Sequence, residues 1–350
     1  TDAAVEAAAA ELLHRAGRRR FFPGPSWEIV PRDPDLRLAV DEKSAPAFAA
    51  RRIWYGFGLT DENRAAFGEW QRRNRVPGGF DLQTGHSDES LVERNKAAFA
   101  EHPEYFALAG GRRAPGKLCL SNPGLRRLVV ADALARLDKD PTRATVSIEP
   151  SDGDGWCECE ACRSLGKPSD RVLALANEVS AELEKSRPGK YAAFYAYHRH
   201  SPPPAGRARE RVIVSVATSF LPKGHEPEEY LAGWRAQGVS LLGLREYYGV
   251  YQWHRSLPGR MRGGDLGYLA KSLPRFHALG VRLVSAESGE DWGANGLGYY
   301  AASRILWDLG EAARVDAIRE DFLTRSFGTA AAPMRRFYAL VDGSAGLKKT

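Results

Sequence analysis

The feature that most constrains this chain is a recurring pattern of short apolar or aromatic runs, each followed by a polar turn and, in most cases, by a helical stretch. The runs fall at residues 52–58, 80–85, 145–150, 191–197, 212–217, 241–247 and 282–287, with a shorter eighth at 294–299. They are continuous rather than alternating, as strands buried on both faces of a parallel sheet are. Helical spacing of apolar residues marks 61–73, 169–186, 227–237, 266–279 and 312–326. Strand then helix, repeated, predicts a parallel α/β fold. Eight strand candidates favour a closed (β/α)₈ TIM-type barrel. An open doubly wound sheet would ordinarily bring a glycine-rich phosphate loop after a strand, and neither G-x-G-x-x-G nor a Walker pattern stands in such a place.

Two connections depart from a regular barrel. Residues 197–211 are rich in proline and glycine and too short for a full crossover helix. Residues 85–144 are far too many for one, and are expected to form an insertion after strand two: a helix at 90–101, a small hairpin flanking Gly110-Gly111, and a helix at 125–137. Residues 1–45 read as the C-terminal remnant of a small N-terminal α/β domain with its linker, and 46–345 as the barrel. The alanine-rich opening at 1–13 carries Asp2, Glu6 and Glu11, so it reads as an amphipathic helix rather than a leader, and a further segment is expected to precede it.

Composition excludes several classes. The apolar runs fall well short of the ~20 residues that span a bilayer, so no membrane insertion is expected. Fifty basic against 44 acidic residues leave a net charge of +6. The arginines are scattered, however, and no basic stripe interleaved with aromatics suggests a nucleic-acid partner.

The C-terminal strand ends and the loops after them form the working face of a barrel of this kind. They carry Gly85-His86 after strand two and Glu149-Pro150-Ser151-Asp152-Gly153-Asp154 after strand three. Tyr195, Tyr197 and His198 follow strand four. Glu246-Tyr247 ends strand six with Trp253 nearby, and Glu287 ends strand seven ahead of Trp292. Carboxyls beside tyrosine and tryptophan suit carbohydrate hydrolysis. One acid protonates the leaving oxygen and another group stays anionic, while flat rings stack on sugar faces. A single strand-end glutamate is more often an ion-pair partner, but three acidic strand ends with aromatics alongside point to a glycan site. Glu287 and Glu246 are expected as the catalytic pair, and Asp152 as an acid or as the group that orients a substrate acetamido. His86, Asp154, Tyr195, Tyr197, Tyr247, Trp253 and Trp292 are expected to bind substrate.

Cys157-x-Cys159-x-x-Cys162 supplies three thiols from one loop, and Cys119 in the insertion supplies a fourth. A closed Cys₄ set would hold a structural Zn²⁺ and leave no open position for catalysis. Buried reduced thiols, or a disulfide from Cys119 to one of the three, are the alternatives. No catalytic cofactor is expected. His86, His198, His200 and His254 form no helical H-x-x-x-H pair, so hydrogen bonding is favoured over metal ligation. Asp152-Gly153-Asp154 opens like a calcium loop, but Trp156 and the cysteines stand where further oxygen ligands would be needed.

Longer motifs resemble a known family. His102-Pro103-Glu104-Tyr105-Phe106-Ala107-Leu108, Gly110-Gly111-Arg112-Arg113 and Leu118-Cys119-Leu120-Ser121-Asn122-Pro123 are similar to bacterial domain-of-unknown-function family 4838. So are Ser147-Ile148-Glu149-Pro150-Ser151-Asp152-Gly153 with its cysteines, Ile305-Leu306-Trp307-Asp308, and Phe322 through Phe327-Gly328. Part of that group is glycoside hydrolase family 163, and residues 12–31 resemble the end of the small α/β domain that precedes the barrel in family 20 and family 67 glycosidases. The resemblance implies a barrel that hydrolyses β-linked N-acetylglucosamine in N-glycans with retention, as an endo-β-N-acetylglucosaminidase does. It also implies an exported bacterial protein, although this chain carries no signal. The rival expectation is a glycan-binding barrel without catalysis. A metal-dependent hydrolase that uses the cysteine loop is a weaker third.

Overall fold

The computed structural model describes residues 1–33, 35–76, 79–250, 253 and 261–343. Six strands, β1 (Ala50–Ile53), β2 (Thr145–Ser147), β3 (Tyr191–Ala196), β4 (Val212–Ala217), β5 (Leu241–Tyr247) and β6 (Val281–Glu287), belong to one sheet. Their order is β1-β6-β5-β4-β3-β2. The chain divides into two compact units, residues 1–79 with 246–278 and 284–350, and residues 80–245 with 279–283. No described helix is long and apolar enough to cross a membrane.

In the second unit β2 through β5 run parallel, in registers that pair Thr145 with Tyr191, Ala192 with Val212 and Ile213 with Leu241. Every residue of β4 is buried, as unalternating apolar runs require. The helix Pro168–Ser186 buries Val172, Leu175, Ala176, Val179 and Leu183 on one stripe. The predicted second strand does not form a ladder. Thr145 Oγ1 instead accepts from the Gln83 N–H at 2.6 Å and donates to the Asp81 carbonyl at 3.1 Å, and Ser147 Oγ donates to the Gly85 carbonyl at 2.6 Å. Side-chain hydroxyls of β2 thus hold residues 81–85 alongside it, and the first true bridge joins His86 to Glu149. Residues 88–139 form helices Asp88–Arg94 and Lys96–Glu101, in place of the single helix expected at 90–101, a hairpin of Phe106–Ala109 with Arg112–Leu118, and the helix Pro123–Lys139. Asn122 caps that last helix by accepting from the Gly124 and Leu125 N–H groups, ahead of Pro123 at its first position.

In the first unit β1 and β6 are direct neighbours. Trp54 donates from its backbone N–H to the Ala286 carbonyl at 2.8 Å and from Nε1 to Ser285 Oγ at 2.9 Å. The place an eighth strand would take is therefore filled, and residues 294–299 are not a strand. They lie inside the helix Trp292–Trp307. Gly298 permits that helix, because a Cβ there would sit 1.5 Å from the Gly263 carbonyl oxygen. Phe21, Phe22, Trp70, Trp292 and Phe322 form an aromatic core. The basic run before it is spent on ion pairs: Arg18 and Arg20 with Glu28, and Arg19 with Asp321.

Candidate functional site

At the C-terminal end of β2 the chain turns through Ile148-Glu149-Pro150-Ser151-Asp152. Glu149 is wholly buried, and both its oxygens are engaged. Oε2 accepts from the Tyr195 N–H at 2.6 Å, and Oε1 lies 2.9 Å from His200 Nε2. His200, on the 3₁₀ turn His198–His200 that follows β3, is itself 2% exposed. A buried carboxyl group is tolerable only when its oxygens are hydrogen-bonded, and both oxygens of Glu149 are. The sequence places Glu149 at this strand end and favours hydrogen bonding for His200, but it does not predict that the two meet.

Asp152, three residues on, is open to solvent. Its Oδ1 accepts from the Tyr197 hydroxyl at 3.0 Å and lies 3.9 Å from His86 Nε2. His86 Nδ1 is 2.7 Å from the Pro150 carbonyl. A carbonyl only accepts, so Nδ1 carries a proton and donates it, and Nε2 is the ring nitrogen that faces Asp152. Burial pushes the Asp152 carboxyl up, but the Gly153 N–H, the Tyr197 hydroxyl and the nearby His86 and Lys117 hold it below the usual range. Burial and the same carboxylate push the Tyr197 hydroxyl up, so it stays a donor. Three of the expected residues, His86, Asp152 and Tyr197, are thus brought together. Asp154 faces Arg199 at 3.6 Å instead, and the buried Tyr195 ring lies 5.9 Å from the Arg245 guanidinium. Asp88, unremarked in the sequence, is buried near this loop, and burial pushes its carboxyl up to about 7.

In the first unit, Glu246 is the last residue but one of β5 and is 1% exposed. The Tyr268 hydroxyl donates to Oε1, the Tyr247 N–H donates to Oε2 at 2.8 Å, and Arg262 Nη1 is 3.7 Å from Oε2. Burial and Glu246 push the Tyr268 hydroxyl up, which keeps it protonated and donating. Glu287 ends β6 half-buried, and its carbonyl accepts from the Tyr248 and Gly249 N–H groups at 2.9 and 3.0 Å. Those bonds tie the turn after β5 to the end of β6. The Tyr247 ring meets Trp253 at 5.0 Å, and Trp253 is 41% exposed. Trp292 is enclosed by Phe57, Phe67, Trp70 and Tyr299, and donates from Nε1 to the Gly56 carbonyl at 2.6 Å. Its ring thus serves the core of this unit. His254 lies outside the described residues.

The cysteines form the tightest cluster of potential ligands. The four sulfurs of Cys119, Cys157, Cys159 and Cys162 lie within 4.8 Å of one another. Cys119 Sγ is 3.7 Å from Cys159 Sγ and 3.9 Å from Cys162 Sγ. A zinc–sulfur bond of 2.3 Å puts tetrahedral sulfurs about 3.8 Å apart, whereas a disulfide holds them at ~2.05 Å. The cysteines are free thiols, and the set could hold a metal ion. Backbone N–H groups of Leu108 and Cys162 point at Cys157 and Cys159, as donors around thiolate ligands do. The hydrogen bond shared with Cys162 draws the Cys119 thiol down while Cys162 is pushed up.

The model of a family described as a domain of unknown function, DUF4838, matches residues 22–339. No curated protein matches the chain. Among solved structures, a β-N-acetylhexosaminidase from Bacteroides fragilis NCTC 9343 is similar over 84% of this chain, at 14% identity and a TM-score of 0.40. The chain spans 62% of that protein's length.

Proposed function

The chain belongs to the DUF4838 family, and from that premise we propose that it is a glycoside hydrolase acting on β-linked N-acetylglucosamine in glycans. The observation that carries this reading is that a carboxylate on the loop after β2 and one near the end of β5 are each met by a tyrosine hydroxyl: Asp152 by Tyr197, and Glu246 by Tyr268. Buried hydroxyl donors aimed at a strand-end carboxylate keep its oxygens oriented, as acid–base chemistry on a sugar requires.

Glu246, surrounded by donors, suits the group that stays anionic and attacks or stabilises the anomeric carbon. Glu287, half-buried on the neighbouring strand β6, suits the acid that protonates the leaving oxygen. A retaining reaction would then need the two carboxyls about 5 Å apart in the working enzyme. Asp152 is proposed as an acid or as the group that orients an acetamido, with Tyr197 and His86 setting its direction. Asp154, Tyr195, Tyr247 and Trp253 are proposed as further substrate contacts, and the exposed Trp253 is the best placed of them to stack on a ring. Trp292 is retained only as support beneath the β6 loop. The cysteine cluster is proposed as a closed, structural zinc site that pins the loop carrying Asp152 to the hairpin. Bound there, zinc would supply rigidity rather than Lewis acidity. The fold is proposed as a TIM-like barrel at 46–345, with residues 80–86 in the second strand's place and residues 1–45 belonging to a small α/β domain. Export from a bacterial cell accords with a glycan substrate.

The test is turnover of complex N-glycans and aryl β-N-acetylglucosaminides by the purified chain and by Glu246→Gln and Glu287→Gln. Each substitution should cost about 10³-fold or more in kcat while folding is kept. Near-normal turnover in both would overturn the pair. The exposed Trp253 also favours a second reading, a glycan-binding barrel that does no chemistry. Saturable glycan binding by the parent with no product formed would select it.

A further inference from the structure

The loop that carries Asp152 is gripped one backbone group after another. The Glu149 carbonyl accepts from the Ser87 N–H and hydroxyl, both at 2.9 Å. The Pro150 carbonyl accepts from His86 Nδ1 at 2.7 Å. The Ser151 N–H donates to Asp88 Oδ2 at 3.0 Å, and the Ser151 carbonyl accepts from Lys117 Nζ. Asp152 is the next residue, and its carboxylate meets Tyr197 and His86. Asp88 and Lys117 come from different segments, the first turn of the helix Asp88–Arg94 and the hairpin strand Arg112–Leu118. They are only 6% and 4% exposed. The Lys117 ammonium also lies 4.7 Å over the Trp156 ring, which covers its other side.

Burying a carboxyl group and an ammonium is expensive unless each is hydrogen-bonded, and here each is spent on one backbone group of Ser151. An acceptor on the Ser151 N–H and a donor on its carbonyl act together, one on each side of the residue. They fix the orientation of both its peptide planes, and so the direction in which the next Cα–Cβ bond leaves the chain. That bond belongs to Asp152.

We propose that Asp88 and Lys117 are positioning residues, which hold the Ser151 backbone from both sides and thereby aim the Asp152 carboxylate at Tyr197 and His86. The inference rests on the reading of Asp152 as a substrate-site carboxylate, and extends it to two buried residues that touch no substrate.

The experiment uses the full chain with Asp88→Ala, Lys117→Met, Asp88→Asn, Asp152→Asn and the double variant Asp88→Ala/Asp152→Asn. Lys117→Met keeps an unbranched side chain of similar length and removes the ammonium. Asp88→Asn keeps an acceptor for the Ser151 N–H. Crystal structures should show the Asp152–Tyr197 hydrogen bond lost in Asp88→Ala and Lys117→Met and kept in Asp88→Asn. With an aryl β-N-acetylglucosaminide as substrate, the first two should lose up to ~10²-fold in kcat with KM little changed, the cost of a misplaced group. Asp88→Asn should recover most of that loss, and the double variant should be no slower than Asp152→Asn alone. An Asp152 still bonded to Tyr197 in both Asp88→Ala and Lys117→Met would overturn the proposal, as would losses that multiply in the double variant. Full turnover in Asp152→Asn would instead overturn the reading of Asp152, whatever the crystal structures of the clamp variants show.

Discussion

Replacing Asp88 by asparagine should flatten part of the pH dependence of this protein's stability. Burial raises the Asp88 carboxyl from 3.8 to about 7, against the opposing pull of the Ser151 N–H and Lys117 and with help from Glu89 and Glu149. In the unfolded chain it titrates near its ordinary value. Across the window between those values the native state holds a proton that the unfolded state has released, so stability falls as pH rises. The contribution is complete below 3.8 and gone once pH has passed about 7. Roughly three pKa units at about 1.4 kcal/mol each amount to about 4 kcal/mol, of which about 2.5 kcal/mol falls between pH 5 and pH 8. Asparagine keeps the acceptor for Ser151 and never ionises. Urea unfolding followed by tryptophan fluorescence at those two pH values measures both proteins. The stability of Asp88→Asn relative to the parent should improve by about 2.5 kcal/mol on going from the lower to the higher pH. Parallel pH profiles would refute the reasoning, because they would mean that Asp88 titrates alike in both states.

Other perturbations reach different parts of the molecule. Cys162→Ser should abolish stoichiometric zinc in metal analysis of the purified protein and cost more than about 4 kcal/mol of stability, the scale of losing a structural metal; unchanged metal content would remove the cysteines from the site. Tyr197→Phe deletes a donor that holds Asp152 low, so the Asp152 carboxyl should titrate higher by carboxyl-detected NMR, and a value that does not move would deny the contact any electrostatic weight. The stability Asp152 contributes is present above its unfolded pKa and lost as pH falls through its lower folded value, so the variant should lose its share at a higher pH than the parent. Gly298→Ala should destabilise by about 1–3 kcal/mol or more in chemical denaturation, since its Cβ would overlap the Gly263 carbonyl, and a neutral effect would contradict that close approach.

How much could be read in advance follows from what each feature depends on. Strands β3 to β6 were legible because a strand buried on both faces must be an unbroken apolar run, and such runs are conspicuous. Residues 80–85 carry a similar composition, but a ladder needs backbone pairing, and the hydroxyls of Thr145 and Ser147 take that role instead. The helix Trp292–Trp307 is hard to recognise from sequence, because Gly293, Gly296 and Gly298 lower helix propensity. Those at 296 and 298 are where Phe22 and Gly263 come too close for a side chain, and that is known only once the partners are in place. The cysteine cluster was visible because ligand spacing is local. The joining of His86, Asp152 and Tyr197 was partly visible, because strand ends in parallel strands share an end. Glu149–His200 and the Asp88–Ser151–Lys117 clamp were not, since a buried acid and a solvated one look identical until the chain closes around them.

The direct pairing of β1 with β6 sets a timetable for the chain's birth. Trp54 and Ser285 are 231 residues apart. At ~5–20 residues per second, β1 leaves the ribosome roughly 10–50 s before its partner exists. A lone strand edge is open to the wrong neighbour for all of that time. β1 has only four residues, and two of them are Arg51 and Arg52. Arg51 can secure the nearby chain without waiting, because its guanidinium donates to the carbonyls of Phe48 and Arg75 at 2.7 and 2.9 Å. A short strand half made of charge, with its own local ties, is a poor template for aggregation and remains available when residues 284–287 arrive.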